Sequence, residues 1–266
     1  MAACIGALAL ALAAPALAHQ PRTRFGTGRI VASAARATSE LLRPDPTLVG
    51  AGKHRAVTLK LSDERQKTVW ATPRRWDWVR RRPVAGSAPI RRLHAYTEDG
   101  FPEVYIVLAA RRTSDGVWWV QVRLPMRPNG TTGWVPRRAM RALHLVHTLL
   151  VVNRRTKHAA FWSNGRKIWR ARVGTGKAST PTPPGHFWIR EGFGVVGDSV
   201  YGPYAFGTSD YSVLTDWPGG GVVGIHGTDQ PYLIPGHPSH GCIRMHNADI
   251  SWLSRHMPVG TPLYVL

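Results

Sequence analysis

Apolar positions take four textures in turn along the chain. From Met1 to Ala18 they form an almost unbroken run of Ala and Leu ending in Pro15-Ala16-Leu17-Ala18. That apolar core with a small-x-small end predicts a secretory signal, although no Lys or Arg precedes it. The run is also short for a membrane span, so no transmembrane segment is expected once it is removed. Residues 19–53 are rich in Arg, Ala, Pro, Thr and Gly without periodic apolar positions, and read as a flexible leader. From 54 to 145 short β-rich runs appear, among them Val104-Tyr105-Ile106-Val107-Leu108 and Val117 to Leu124. Turn clusters at Thr113-Ser114-Asp115-Gly116 and Pro128-Asn129-Gly130 separate them, which predicts a small all-β module.

From residue 146 the strands alternate more regularly. Thr148 to Val152, His158 to Trp162 and Ile168 to Val173 are separated by turns at Asn153-Arg154-Arg155-Thr156 and Ser163-Asn164-Gly165, the pattern of hairpins in a meander. A helix is predicted at Asn247 to His256, with Asp249 in its first turn, Arg255 in its last and Pro258 beyond its end. The second domain, 146–266, is therefore expected to be mainly β with one short helix.

Composition sharpens this picture. With 266 residues and 43% hydrophobic positions the chain can bury a real core, which excludes disorder throughout. The net charge of +20 is uneven: residues 1–145 carry 24 Lys and Arg against 9 Asp and Glu, and residues 146–266 carry 11 against 6. A field of this sign attracts polyanions; for an exported protein these are anionic wall polymers or lipid headgroups, for a cytosolic one nucleic acid. The leader favours export, so no nucleic-acid partner is expected. Removal of residues 1–18 would take Cys4 with it and leave Cys242 as the single thiol, either buried and inert or free and reactive.

Six tryptophans, Trp70, Trp76, Trp78, Trp118, Trp119 and Trp134, fall in the first module. Trp119 and Trp134 are expected in its core, and the others could equally form a stacking surface for sugar rings. The run Trp118 to Val122 followed by Gly133-Trp134-Val135 resembles the bacterial SH3-like modules that accompany wall enzymes.

The chemistry concentrates in Ile225-His226-Gly227-Thr228-Asp229-Gln230-Pro231 and Ser239-His240-Gly241-Cys242-Ile243-Arg244-Met245. A thiol attacks as thiolate, which needs an imidazole or a cation nearby, and two histidines here could serve. The flanking glycines let backbone approach a substrate closely, so that N–H groups can point at a developing oxyanion. A lone cysteine is more often a small buried core residue. The ordered motif reverses that expectation: His226-Gly227-Thr228 followed by Ser239 to Arg244 resembles the signature of the YkuD-type L,D-transpeptidases, over roughly 148–266. Val173-Gly174-Thr175-Gly176-Lys177 with Thr180 to Gly185, and Tyr201-Gly202-Pro203-Tyr204-Ala205-Phe206, resemble the family's glycine-rich passage and the segment leading into its substrate groove.

The resemblance implies a β-sandwich or barrel-like catalytic domain in which Cys242 is the nucleophile, His226 the general base and His240 a residue shaping the site. It implies an oxyanion hole from the amides of His240, Gly241 and Cys242, and a Gly227 carbonyl that orients the imidazole. Ser239, Arg244, Tyr204 and Thr228 are candidate substrate-binding residues; Ser239 could equally be a local hydrogen-bonding residue, Thr228 could shape its loop, and Tyr204, Trp217 and Tyr232 could line the groove or pack. No metal or organic cofactor is implied. The reaction implied is attack on the L-D peptide bond of a peptidoglycan tetrapeptide stem, release of D-alanine, and transfer of the acyl group to an amine as a 3-3 crosslink, in a secreted, extracytoplasmic, wall-associated enzyme. Hydrolysis by the same thiol, an L,D-carboxypeptidase, is an alternative. So is a zinc hydrolase using His226, His240, Cys242 and His246, although the usual general-base Glu is absent near them. A third is a non-enzymatic basic binder of wall polymer or nucleic acid. His147, His237, His246 and His256 carry no role in the motif.

Overall fold

The computed structural model describes residues 41–42, 55–197, 199–216 and 218–266. The expected signal segment 1–18 with Cys4, the leader 19–53 apart from Leu41 and Leu42, and Trp217 lie outside the described residues. Within that leader, Leu41 and Leu42 are helical, and Leu41 is buried in the core of the first module, its carbonyl accepting a hydrogen bond from Arg137 Nε at 3.2 Å.

Eight strands build the first module: β1 (Val57–Lys60), β2 (Thr68–Ala71), β3 (Trp78–Arg80), β4 (Pro89–Arg92), β5 (Tyr105–Arg112), β6 (Trp118–Arg123), β7 (Thr132–Pro136) and β8 (His144–Val146). They form one sheet in the order β4-β3-β7-β6-β5-β2-β8, with β1 added on β5. The run Trp118 to Arg123 becomes a buried strand because four of its six side chains, Trp118, Trp119, Val120 and Val122, leave water. Trp119 is buried as expected, whereas Trp134 is only half-buried, because at its position on β7 the inward places belong to Gly133 and Val135. Trp76 is 73% exposed and Trp78 lies under Arg92, 4.8 Å from its ring centre.

The second module holds β9 (Thr148–Asn153), β10 (His158–Ser163), β11 (Arg166–Arg172), β12 (Gly174–Gly176), β13 (Gly185–Gly194), β14 (Tyr204–Tyr211), β15 (Val222–His226), β16 (Gly236–Ser239), β17 (Ile243–Arg244) and β18 (Pro262–Val265). The expected hairpins β9–β10 and β10–β11 are present. Beyond them the order β11-β10-β9-β18-β13-β14-β15-β17-β12-β16 departs from a meander. The C-terminal β18 pairs in parallel with β9, and β17 in parallel with β15, through longer crossovers that a local turn signal does not report. The helix α1 spans Asn247–His256, as the sequence predicts, and buries Ile250 and Leu253 against the β-core. The described fold is mainly β.

The two modules share a polar and apolar contact. Trp188 packs with Val104 and Ile106, and its indole N–H donates to the Val104 carbonyl at 2.8 Å. Arg190 of β13, almost wholly buried, pairs with the fully buried Glu103, Nε to Oε1 at 2.8 Å, and with Glu98 at 2.9 Å. Two opposed charges satisfied by several hydrogen bonds are what allows either to be buried at all.

Candidate active site

The parallel pairing of β15 with β17 sets Ile225 against Ile243 and His226 against Arg244, and so brings the two sequence-distant halves of the motif side by side within the sheet. Cys242 immediately precedes β17 and is half-buried. Its sulfur accepts the Gly224 N–H at 3.4 Å. A Cβ built on Gly224 would lie 3.8 Å from Cys242 Sγ and 3.9 Å from His226 Cδ2, so thiol and imidazole flank the same glycine. His226 is only 4% exposed, and its Nδ1–H donates to the Gly227 carbonyl at 2.6 Å. A carbonyl can only accept, so Nδ1 carries the proton and Nε2 is left with its lone pair. The Tyr201 ring meets the imidazole edge to face, 4.9 Å between centres.

Electrostatics follow from burial. Desolvation pushes His226 down to about 4, with the Gly227 bond working against it and the Arg244 charge adding to it. Burial also raises the Cys242 thiol, opposed by the Gly224 amide and Arg244 and reinforced by Asp210. Asp210 is wholly buried, its carboxyl raised well above the ordinary range by desolvation; Oδ1 accepts Asn129 Nδ2 at 2.9 Å and Oδ2 has no partner among the described residues. The resting pair is therefore neutral thiol beside neutral imidazole.

The loop around the thiol is held by side chains that use up some of its polar groups. Ser239 Oγ donates to the Cys242 carbonyl at 2.6 Å and accepts the Gly241 N–H at 3.2 Å. Thr182 Oγ1 donates to the Gly241 carbonyl at 2.7 Å and accepts the Gly176 N–H at 2.9 Å. Because a peptide unit is planar and trans, anchoring that carbonyl fixes the opposite direction for the Cys242 N–H. Gly241 has φ +134°, and a Cβ there would come within 3.2 Å of Ser212 Cβ, so only glycine fits. At Gly227 a Cβ would meet Asn247 Oδ1 at 2.4 Å, the same oxygen that accepts the Thr228 N–H at 2.8 Å.

Two cavities open onto Cys242, and His226, Tyr201 and Val222 line both. The larger, about 300 Å³, adds Phe193, Val195 and the carboxylates Glu98 and Asp99 of the first module. The other, about 260 Å³, adds Ser212, Ser239, His240, Gly241 and Arg244, whose buried Nε has no partner among the described residues. Of the remaining candidates, His240 is exposed at this rim with Nε2 2.9 Å from Lys177 Nζ. Thr228 is buried and accepts the Gln230 N–H. Tyr204 packs on Phe206, 4.9 Å between ring centres, and lines neither cavity. Tyr232 is 78% exposed. Among the described residues no three His, Cys, Asp or Glu side chains group as metal ligands, the four of the zinc reading included.

Residues 147–265 match the family model of the L,D-transpeptidase catalytic domain, YkuD. YqjB of Bacillus subtilis (strain 168), which bears the name of a proposed L,D-transpeptidase, is 30% identical over 129 residues, covering 44% of this chain and 69% of that protein. The chain belongs to the L,D-transpeptidase family. A second Bacillus subtilis relative, YkuD, named in the same way, is 35% identical over 98 residues, 37% of this chain and 53% of that one. Among solved structures, an Enterococcus faecium L,D-transpeptidase is 25% identical with a TM-score of 0.36 and covers 45% of this chain, which spans 49% of its length. The L,D-transpeptidase from Mycobacterium smegmatis is 18% identical with a TM-score of 0.37, covering 84% and 96%.

Several residues of this L,D-transpeptidase-family site escape the motif. Gly224 is an isolated glycine in a strand, a pattern that signals close approach of another group. Tyr201 and Thr182 lie within segments that resemble the family, with no feature marking those two side chains. Glu98, Asp99 and Asn129 carry no local signal, because only the packing of the first module on the second brings them to this site, and Asp210 carries none because its place depends on how β14 packs within the second module.

Proposed function

We propose that the chain is a peptidoglycan L,D-transpeptidase in which Cys242 is the nucleophile and His226 Nε2 its base. The observation that carries this reading is the pairing around Gly224: a thiol and an imidazole whose outer nitrogen is tied to the Gly227 carbonyl, so that the inner nitrogen can take a proton. Both groups rest neutral. The proton moves from sulfur to Nε2 as the substrate carbonyl approaches, and the sulfur attacks the carbonyl between an L centre and the following D residue. The Gly224 N–H, already on the sulfur, stabilises charge there as the proton leaves.

Charge then builds on the carbonyl oxygen. The Gly241 amide is engaged by Ser239, so oxyanion stabilisation falls first to the Cys242 N–H, whose direction Thr182 holds through the Gly241 carbonyl. Imidazolium returns its proton to the leaving nitrogen, D-alanine departs, and a thioester remains on Cys242. An amine then attacks the thioester, gives its proton to Nε2, and releases the thiol. Two cavities meeting at one sulfur favour transfer over hydrolysis: the wall with Arg244 suits the anionic end of a donor, and the wall with Glu98 and Asp99 suits an amine acceptor.

The same reading makes the protein an exported, wall-associated enzyme, with the basic first half adding affinity for the wall. Intact-mass analysis after exposure to a carbapenem tests the nucleophile. The wild-type protein should gain one adduct, mapped to Cys242, and the Cys242→Ala protein none; an adduct on Ser239 or persisting without Cys242 refutes the assignment.

A further inference from the structure

The second module carries a cavity of about 800 Å³ that the reaction above does not use. Arg154, Arg155, Lys157, Lys177 and His237 line it together with Thr175, Gly176 and Thr182, and no carboxylate side chain does. Arg154 is fixed by the Thr182 carbonyl at 2.9 Å and by Leu266 O at 3.4 Å. Lys157 donates to the Arg154 carbonyl and to Thr175 Oγ1 at 3.1 Å, in a left-handed backbone conformation of φ +55°. Burial and the neighbouring Arg154 charge both push its ammonium down. Arg155, Lys157 and Lys177 make no ion pair with another side chain among the described residues. Crowded cations without counter-charge raise a positive potential that an anion relieves.

This cavity is tied to the nucleophile's loop. Its Gly176 and Thr182 form the hydrogen-bonded chain that ends on the Gly241 carbonyl, one residue before Cys242. The Lys177 N–H donates to the Ser239 carbonyl at 2.9 Å, and its ammonium lies 2.9 Å from His240 Nε2 on the rim of the Cys242 cavity. A peptide held at Cys242 can thus continue past His240 onto a basic surface.

We propose that this cleft is a binding site for the carboxylates of the peptide substrate remote from the scissile bond, with Arg155 and Lys177 as the residues that select a free-acid over an amidated peptide. The inference rests on the L,D-transpeptidase reading for its ligand. The geometry favours a substrate carboxylate over a wall phosphate because the cleft is hydrogen-bonded to the loop that carries Cys242 through Thr182 and lies against His240 through Lys177.

The test measures binding without turnover. Full-length Cys242→Ala protein is titrated calorimetrically with a stem tetrapeptide whose side carboxylates are free, and with the same peptide fully amidated. The free acid should bind roughly tenfold more tightly, the size of one charge-assisted contact, and the preference should shrink as salt rises. Arg155→Glu, or Arg155→Gln with Lys177→Gln, should abolish the preference, whereas Arg170→Glu on the exposed face of β11 should keep it. Equal affinities for the two peptides, or a preference that survives both cleft variants, overturns the proposal. So does Arg155-dependent binding of poly(glycerol phosphate) with no discrimination between the peptides, which assigns the cleft to a wall polymer. Failure of the catalytic reading registers separately, as absence of D-alanine release by the wild-type protein.

Discussion

At the scale of single residues, the neutral resting state of Cys242 and His226 has a direct kinetic signature. With the thiol raised and the imidazole lowered to about 4, the thiolate fraction at neutral pH is small and grows about tenfold per pH unit below the thiol's pKa. Iodoacetamide labelling of Cys242 should therefore climb steadily from pH 6 to pH 9 without a plateau; fast labelling already level at pH 6 would mean a preformed ion pair. The sign for His226 is the reverse of a histidine that gains a partner charge: its imidazole is neutral and able to accept a proton above about 4, and loses that ability only as pH falls through that value. The acid limb of kcat/KM should accordingly lie near 4, displaced from the ordinary histidine value near 6.5. Cysteine, histidine and the flanking glycines were legible in the sequence because each is demanded by local chemistry. Their protonation was not, since it depends on how deeply β15 is buried.

At the scale of elements, the turn after β6 clamps the segment that follows β14. Arg127 donates to the Ser212 carbonyl at 2.6 Å and 3.2 Å and to the Leu214 carbonyl at 2.9 Å. Asn129 bonds Asp210, the Tyr211 carbonyl and the Tyr211 N–H. Ser212 stands against Gly241, so this clamp bears on the loop that carries Cys242. Arg127→Ala should cost roughly 1–3 kcal/mol of stability and slow carbapenem acylation more than it slows labelling by iodoacetamide; thermal unfolding and the two rates check it. Helix α1 and the hairpins β9–β10 and β10–β11 could be read from the sequence because periodicity and turn residues are local. The parallel pairings β9–β18 and β15–β17 could not, since a crossover leaves no turn signature and its register comes from the packed core.

At the scale of the whole molecule, the buried pair Arg190 and Glu103, with Glu98 at its exposed side, joins the two modules. Glu103→Ala leaves a buried guanidinium short of its closest counter-charge and should destabilise the protein by roughly 3 kcal/mol, read as a lower denaturant midpoint with an unchanged slope. The basic excess of the first half predicts that binding to purified wall sacculi weakens as salt rises, because the screening length falls to about 8 Å at physiological ionic strength; salt-independent binding would point to exposed aromatics such as Trp76 instead. All of this serves one central claim, that Cys242 breaks the L-D bond of a stem peptide. Mass spectrometry of a purified muropeptide tetrapeptide incubated with the wild-type and Cys242→Ala proteins tests it most directly. The wild-type protein should release D-alanine and form a crosslinked product, and the variant should do neither; D-alanine release by Cys242→Ala at the wild-type rate would contradict this role for Cys242.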